Sequence, residues 1–154
     1  MPEAERLCER ILEEVSVVHG LRVGRPQYGL LARLLGRRRE TPEYGAYCRD
    51  GRLILWLYLP SQVPEALEAE AREILEENFR SLAVPPEHLV LRGRDHVVVE
   101  LLENLERYAA SGLPEEEAAK LAGLTVALHL GFLKMVEALV SREPAYRQVG
   151  VEAA

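Results

Sequence analysis

Cysteine is scarce in this chain, with only Cys8 and Cys48 in 154 residues. They form no C-x-x-C spacing, which removes the common zinc-ribbon and thiol-redox frames. Histidines are scattered at His19, His88, His96 and His129, with no H-x-x-x-H pair to hold a metal. Where a zinc peptidase would carry H-E-x-x-H after a strand, the chain reads Arg72 to Glu76, "REILE": Glu73 stands at the general-base position without either histidine ligand. There is no G-x-x-x-x-G-K-[ST] loop and no G-x-G-x-x-G turn. None of Ser16, Ser61, Ser81, Ser111 and Ser141 sits in a G-x-S-x-G elbow. No run of apolar residues reaches the roughly 18 of a membrane span, the closest being Leu124 to Leu133. The residues therefore name no catalytic group, no cofactor and no bound metal, and the reading leans away from an enzyme.

What is present is an ordinary globular composition, 48 % apolar and 29 % charged. At this length a chain buries roughly two-thirds of its unfolded surface and needs no staple. The two cysteines accordingly read as free thiols of a cytoplasmic protein without a signal peptide, Cys8 acting as a small hydrophobe on a helix face. Among 19 basic residues only Lys120 and Lys134 are lysine. That arginine bias and the short loops suit a thermophile.

Hydrophobic spacing lays out the elements. Ala4, Leu7, Cys8, Ile11, Leu12, Val15 and Val18 form one stripe of a helix closed by His19-Gly20. A second helix is expected from about Pro26 to Arg37. "EYGAYCRDGRLILWLYLP" predicts an antiparallel hairpin over 44–59, turning at Asp50-Gly51. Its second strand is apolar on both faces, so both faces should be covered. Ser61 and Pro64 open a long helix with Leu67, Ala71, Ile74, Leu75, Asn78, Phe79 and Leu82 inward. A short strand follows near 88–92. Asp95 then suits a helix cap before Val97, Leu101, Leu102, Leu105, Tyr108 and Ala109, although Val97-Val98-Val99 also suits a strand. Two further helices are expected at about Pro114–Ala122 and Leu124–Arg142. The fold class is α+β, mostly helical, with a small sheet packed by helices. The expected organisation is an α+β domain over 1–94, a helical C-terminal part over 95–142 packed on it, and a flexible tail over 143–154.

The stretch "GLPEEEAAKLAGLTVALHLGFLKMVEALV" has the outline of a helix-turn-helix, with Ala119 and Gly123 four apart. A recognition helix must offer polar or basic side chains to base edges, and of the residues after Gly123 only Thr125 and His129 qualify. Glu115, Glu116 and Glu117 before it would repel phosphates. Apart from a narrow polar stripe (Gly131, Lys134, Glu137, Ser141), the second helix is apolar, the pattern of a core or interface helix. His129 on that apolar side reads as a hydrogen-bonded core histidine.

Charge is unevenly placed. Arg22, Arg25, Arg33, Arg37, Arg38 and Arg39 stand in a stretch with no acid, while the whole chain carries −6. Such a segment can meet phosphates, nucleic acid or an acidic protein partner, with Tyr28 and Tyr44 nearby to stack on bases. It can equally pair with glutamates of the chain itself. The principal expectation is association, as a homodimer using Trp56, Tyr58, Leu128, Phe132 and Met135, with no membrane contact. The alternative is binding of RNA or single strands through 22–39. A fainter option is an enzyme site assembled from Tyr44, Tyr58, Arg49 and His88 around the sheet.

Overall fold

The computed structural model describes residues 3–26, 41–60, 63–82, 85–93 and 95–141. Most of the helix expected over Pro26–Arg37, and the tail from 143, lie outside them. The described elements run in the order α1 (Glu3–His19), β1 (Arg22–Val23), β2 (Glu43–Arg49), β3 (Arg52–Leu59), α2 (Glu65–Phe79), β4 (Glu87–Arg92), β5 (Val97–Asn104), α3 (Glu106–Ala109) and α4 (Glu115–Ser141). This is an α+β fold.

One five-stranded mixed sheet, in the order β1-β2-β3-β5-β4, organises the molecule. Only the β1–β2 pair is parallel. The β2–β3 hairpin closes at Asp50 and Gly51, both with positive φ (51° and 72°), the geometry of a type I′ turn. On β3 the odd positions Leu53, Leu55, Leu57 and Leu59 face the main core, where α1, α2 and α4 pack. The even positions Trp56 and Tyr58 join Val98 in a second cluster on the other face. Both faces of β3 are thus covered, as its unbroken apolar run requires.

Helix α1 buries Ala4, Leu7, Cys8, Ile11 and Val15 and ends at Gly20, whose φ of 64° closes the last turn. Val18, expected on the buried stripe, is instead exposed. Helix α2 begins one residue after Pro64 and turns Ala71, Leu75 and Phe79 to the core.

Three expectations are corrected. Residues 97–104 are not the first turns of a helix but β5, hydrogen-bonded to β3 on one side and β4 on the other. The helical part therefore starts at Glu106, and Asp95 pairs with His96 (3.1 Å) rather than capping a helix. The apolar residues that matched a helical stripe alternate as well. Val97, Val99 and Leu101 join the main core and Val98 the second cluster, and pairing with β3 and β4 decides for a strand.

The helices expected on either side of Gly123 are one helix, α4, of 27 residues without a break. Its buried residues Ala118, Ala119, Ala122, Val126, His129, Leu130, Leu133, Val136 and Val140 keep helical spacing straight through the glycine. Continuous packing on the sheet outweighs the roughly 1 kcal/mol that glycine costs inside a helix. A helix-turn-helix needs a turn there, and α4 has none. Finally, Cys8 and Cys48 are not free thiols. They form a disulfide across a Cα–Cα distance of 6.1 Å, tying α1 to β2.

Candidate functional site

Helix α4 lies on the sheet with α1 and α2 packed against it. Its nine buried residues consume one face, and the opposite face carries large apolar side chains in the open. Leu124 is 70 % exposed, Leu128 50 %, Met135 48 % and Leu121 46 %. Gly131, on the same side, has no heavy atom within 4 Å of where a Cβ would stand. Glu117 and Lys134 flank this stripe, both exposed. By length and composition α4 is also apolar enough to cross a membrane, a test that a core helix passes too.

Of the five residues expected at an interface, Leu128 and Met135 lie on this open stripe. Phe132 is half-buried at its border, edge-on to Phe79 at 4.9 Å. Trp56 and Tyr58 do not belong to it: they are buried within the chain itself, on the far face of the sheet. Leu121 and Leu124 were not singled out from sequence. Their helical spacing with Leu128 and Met135 was the available signal, hidden by the supposed turn at Gly123.

The far face is built around glycines. Trp56 lies across Gly45, its register partner on β2, and donates its Nε1–H to the Gly24 carbonyl at 2.8 Å. Tyr58 stacks with His96 at 5.9 Å. Opposite Trp56 on β5 stands Glu100, whose burial raises its pKa while Arg49 and Arg25 pull it back down. The two described arginines of the basic segment are internally occupied. Arg22 pairs with Glu43 at 3.3 Å, and Arg25 sits 5.5 Å over the Tyr47 ring. Arg33, Arg37, Arg38 and Arg39 lie outside the described residues, as does Tyr28.

The assembled-enzyme option does not come together. Tyr44 and His88 belong to the helix-covered side, Tyr44 bonded to Glu137 and His88 against Phe79. Tyr58 belongs to the opposite face. Cys48 is engaged in the disulfide and is no nucleophile. His88 approaches Glu76 on α2 (4.0 Å), whereas His96 lies with Tyr58 on the far face. Among the described residues no group of three metal-ligating side chains occurs.

His129 is the unexpected feature of the buried side of α4. It is completely enclosed, with its Nδ1 in contact with Glu103 Oε1 of β5. Nε2 has no partner among the described residues, and Phe79 meets the ring edge-on at 5.2 Å. Burial pushes the imidazole pKa down to about 4, so the ring is neutral near pH 7. Glu103 itself lines a cavity of about 130 Å³ at the end of β5, with Arg52, Asn104, Arg107 and Tyr108 around it. A wider hollow, about 610 Å³, lies where α1 ends, between Arg22, Glu43, Tyr44 and Lys134. Glu103 was missed because an inward-facing carboxylate is visible only once 97–104 is read with the period of a strand. Comparison of this chain with family models, curated proteins and solved structures finds no match.

Proposed function

We propose that the protein works by self-association, as a homodimer joined through the open face of α4. The observation that carries this reading is the line of Leu121, Leu124, Leu128 and Met135 left in solvent along a helix whose other face is the core. Single exposed hydrophobics are normal on a soluble surface, but a contiguous row marks a contact. At about 1.5 Å per residue, the row from Leu121 to Met135 is about 21 Å long on a helix on the order of 40 Å. A specific interface needs roughly 1,000 Å² in all, so the flanking surface on either side of the row would join the contact.

Charge supports an antiparallel pairing about a two-fold axis. Glu117 in the first turn then faces the C-terminal half that carries Lys134, while Glu115 and Glu116 pair with Arg6 and Arg10 of α1. A parallel pairing would stack Glu117 on Glu117 and Lys134 on Lys134, and would align the two helix dipoles unfavourably. Gly131 leaves room for the close approach.

Sedimentation equilibrium tests the proposal with the wild type and Leu124→Glu/Leu128→Glu. The wild type should sediment at twice 17.3 kDa. The double variant should fall to 17.3 kDa with an unchanged circular dichroism spectrum. A wild type that stays monomeric across the accessible concentration range would sink the reading.

A further inference from the structure

The sheet has two edges, and the chain treats them differently. An edge strand presents a row of unpaired backbone N–H and C=O groups, which proteins blunt by keeping the strand short or by placing proline, lysine or a bulge in it. At one edge β1 has only two residues. At the other, β4 has six, pairs one-to-one with β5 without a bulge, and contains neither proline nor lysine. Among the described residues no strand pairs with its outer side. The charged residues at its two ends are engaged within the chain: Glu87 with Arg52 at 3.6 Å, and Arg92 with Glu65 at 3.3 Å and Glu68 at 3.5 Å. Between them Leu89 is 48 % exposed, on the same side of the strand as Leu91, which packs on the second cluster. The other side of β4 is flanked by α2, held there by the Arg92 pairs and by His88 approaching Glu76 at 4.0 Å. That helix carries six glutamates against Arg72 alone. Glu65, Glu73 and Glu76 are exposed, and Glu73 has no ion-pair partner among the described residues.

We infer that the open edge of β4 docks an extended, basic segment of a protein partner, which adds to the sheet as a further strand. Its backbone pairs with the outer side of β4, and its side chains alternate between the two faces of the sheet. Those on the helix side are arginine or lysine and meet the glutamates of α2. Those on the opposite side are apolar and cover Leu89. A second copy of this chain is the poorer occupant: a two-fold pairing of β4 with itself would set α2 beside its own copy, glutamate facing glutamate. An acidic strand would meet the same repulsion. The edge shares no residue with the open face of α4, so docking here and dimerisation there are separate events.

The test is fluorescence anisotropy with a labelled peptide, Arg-Val-Arg-Val-Arg-Val, joined by amide hydrogen exchange over residues 87–92. Two control peptides run beside it: the acidic Glu-Val-Glu-Val-Glu-Val, and Arg-Arg-Arg-Val-Val-Val, which keeps the charge and loses the alternation. The alternating basic peptide should bind saturably and slow exchange in β4. The block peptide should bind at least about tenfold more weakly, and the acidic one not at all. Glu65→Gln/Glu73→Gln/Glu76→Gln should weaken the basic peptide by about fivefold, as loss of several exposed ion pairs implies. Leu89→Lys, which blunts the edge, should weaken it as well. All four positions are exposed, and circular dichroism reports whether each variant is folded. No saturable binding would overturn the inference. Equal affinity for the block peptide would overturn it too, by showing attraction through charge alone. So would binding without protection of β4, or protection of β4 that rises with protein concentration before any peptide is added, the sign of a second copy on the edge.

Discussion

At position 45 the sheet has no room for a Cβ. One placed there would lie 2.0 Å from Trp56 Cζ2 and 2.8 Å from the Arg22 carbonyl oxygen. The indole covers the glycine across the strand pair and anchors itself on the Gly24 carbonyl, so the two positions are coupled. Gly45→Ala must displace a fully buried tryptophan, and overpacking of that kind costs about 1–3 kcal/mol. Urea unfolding should show the loss, together with a red-shifted tryptophan emission in the folded state. An unchanged midpoint and spectrum would mean that the indole is not seated there.

His129 makes a prediction of opposite character at the same scale. Its folded-state pKa, about 4, lies below the ordinary 6.5 because burial disfavours the charged ring. The unfolded chain therefore binds the proton more readily than the folded one. Stability from this group is complete above pH 6.5 and drains away as the pH falls towards 4. The groups around it are Glu103 from β5, Phe79 from α2 and Phe132 from α4 itself, with His88 of β4 beyond Phe79. Of these only Glu103 opposes the trend, by favouring an imidazolium. The difference from 6.5 to about 4 is worth on the order of 3 kcal/mol before that opposition. Unfolding free energy measured from pH 7 to pH 4 should fall in the wild type. It should fall less in His129→Leu, and equal slopes would dismiss the effect.

Among the elements, α4 and β5 show where local spacing and tertiary context part company. A glycine flanked by apolar runs at Gly123 matches a turn by every short-range rule, yet the buried positions on either side fall into one helical phase. Nothing stands within 4 Å of a Cβ at Gly123, and the residue is helical. Gly123→Ala is thus expected to raise stability by about 0.5–1 kcal/mol in urea unfolding, by the usual helix-propensity difference. A genuine turn at this position would give the opposite sign. In β5 the ambiguity ran the other way. Val97 to Leu102 fits both a helical stripe and a strand buried on two faces, because a strand apolar on both sides has no alternation to display. The β2–β3 hairpin carried no such ambiguity, since Asp50-Gly51 specifies its turn locally.

For the molecule as a whole, the disulfide is the long-range link that neither periodicity nor motif announced. Cys8 and Cys48 are separated by 40 residues, and in the chain-entropy model closing such a loop is worth up to about 4 kcal/mol. Unfolding with and without reductant should differ by about 2–4 kcal/mol, and Cys8→Ala/Cys48→Ala should reproduce the reduced value. Equal midpoints in the two conditions would show that the pair contributes nothing to the folded state. Because Cys8 is fully buried in the core, reduction should also be slow in the folded protein.

The residues by themselves determined the α+β class, the extents of α1, β2, β3 and α2 to within a few positions, and the covering of β3 on both sides. All of these follow from information held within a few residues: helical spacing, a turn dipeptide, an unbroken apolar run. Tertiary structure alone decided that 97–104 is a central strand, that α4 runs through Gly123, that Trp56 and Tyr58 are internal, and that Cys8 meets Cys48. It also decided that Glu103 faces His129 beside a cavity. Each of these depends on which surface an element meets. A side chain's burial and partner are properties of the packed whole, and spacing along the chain leaves them open.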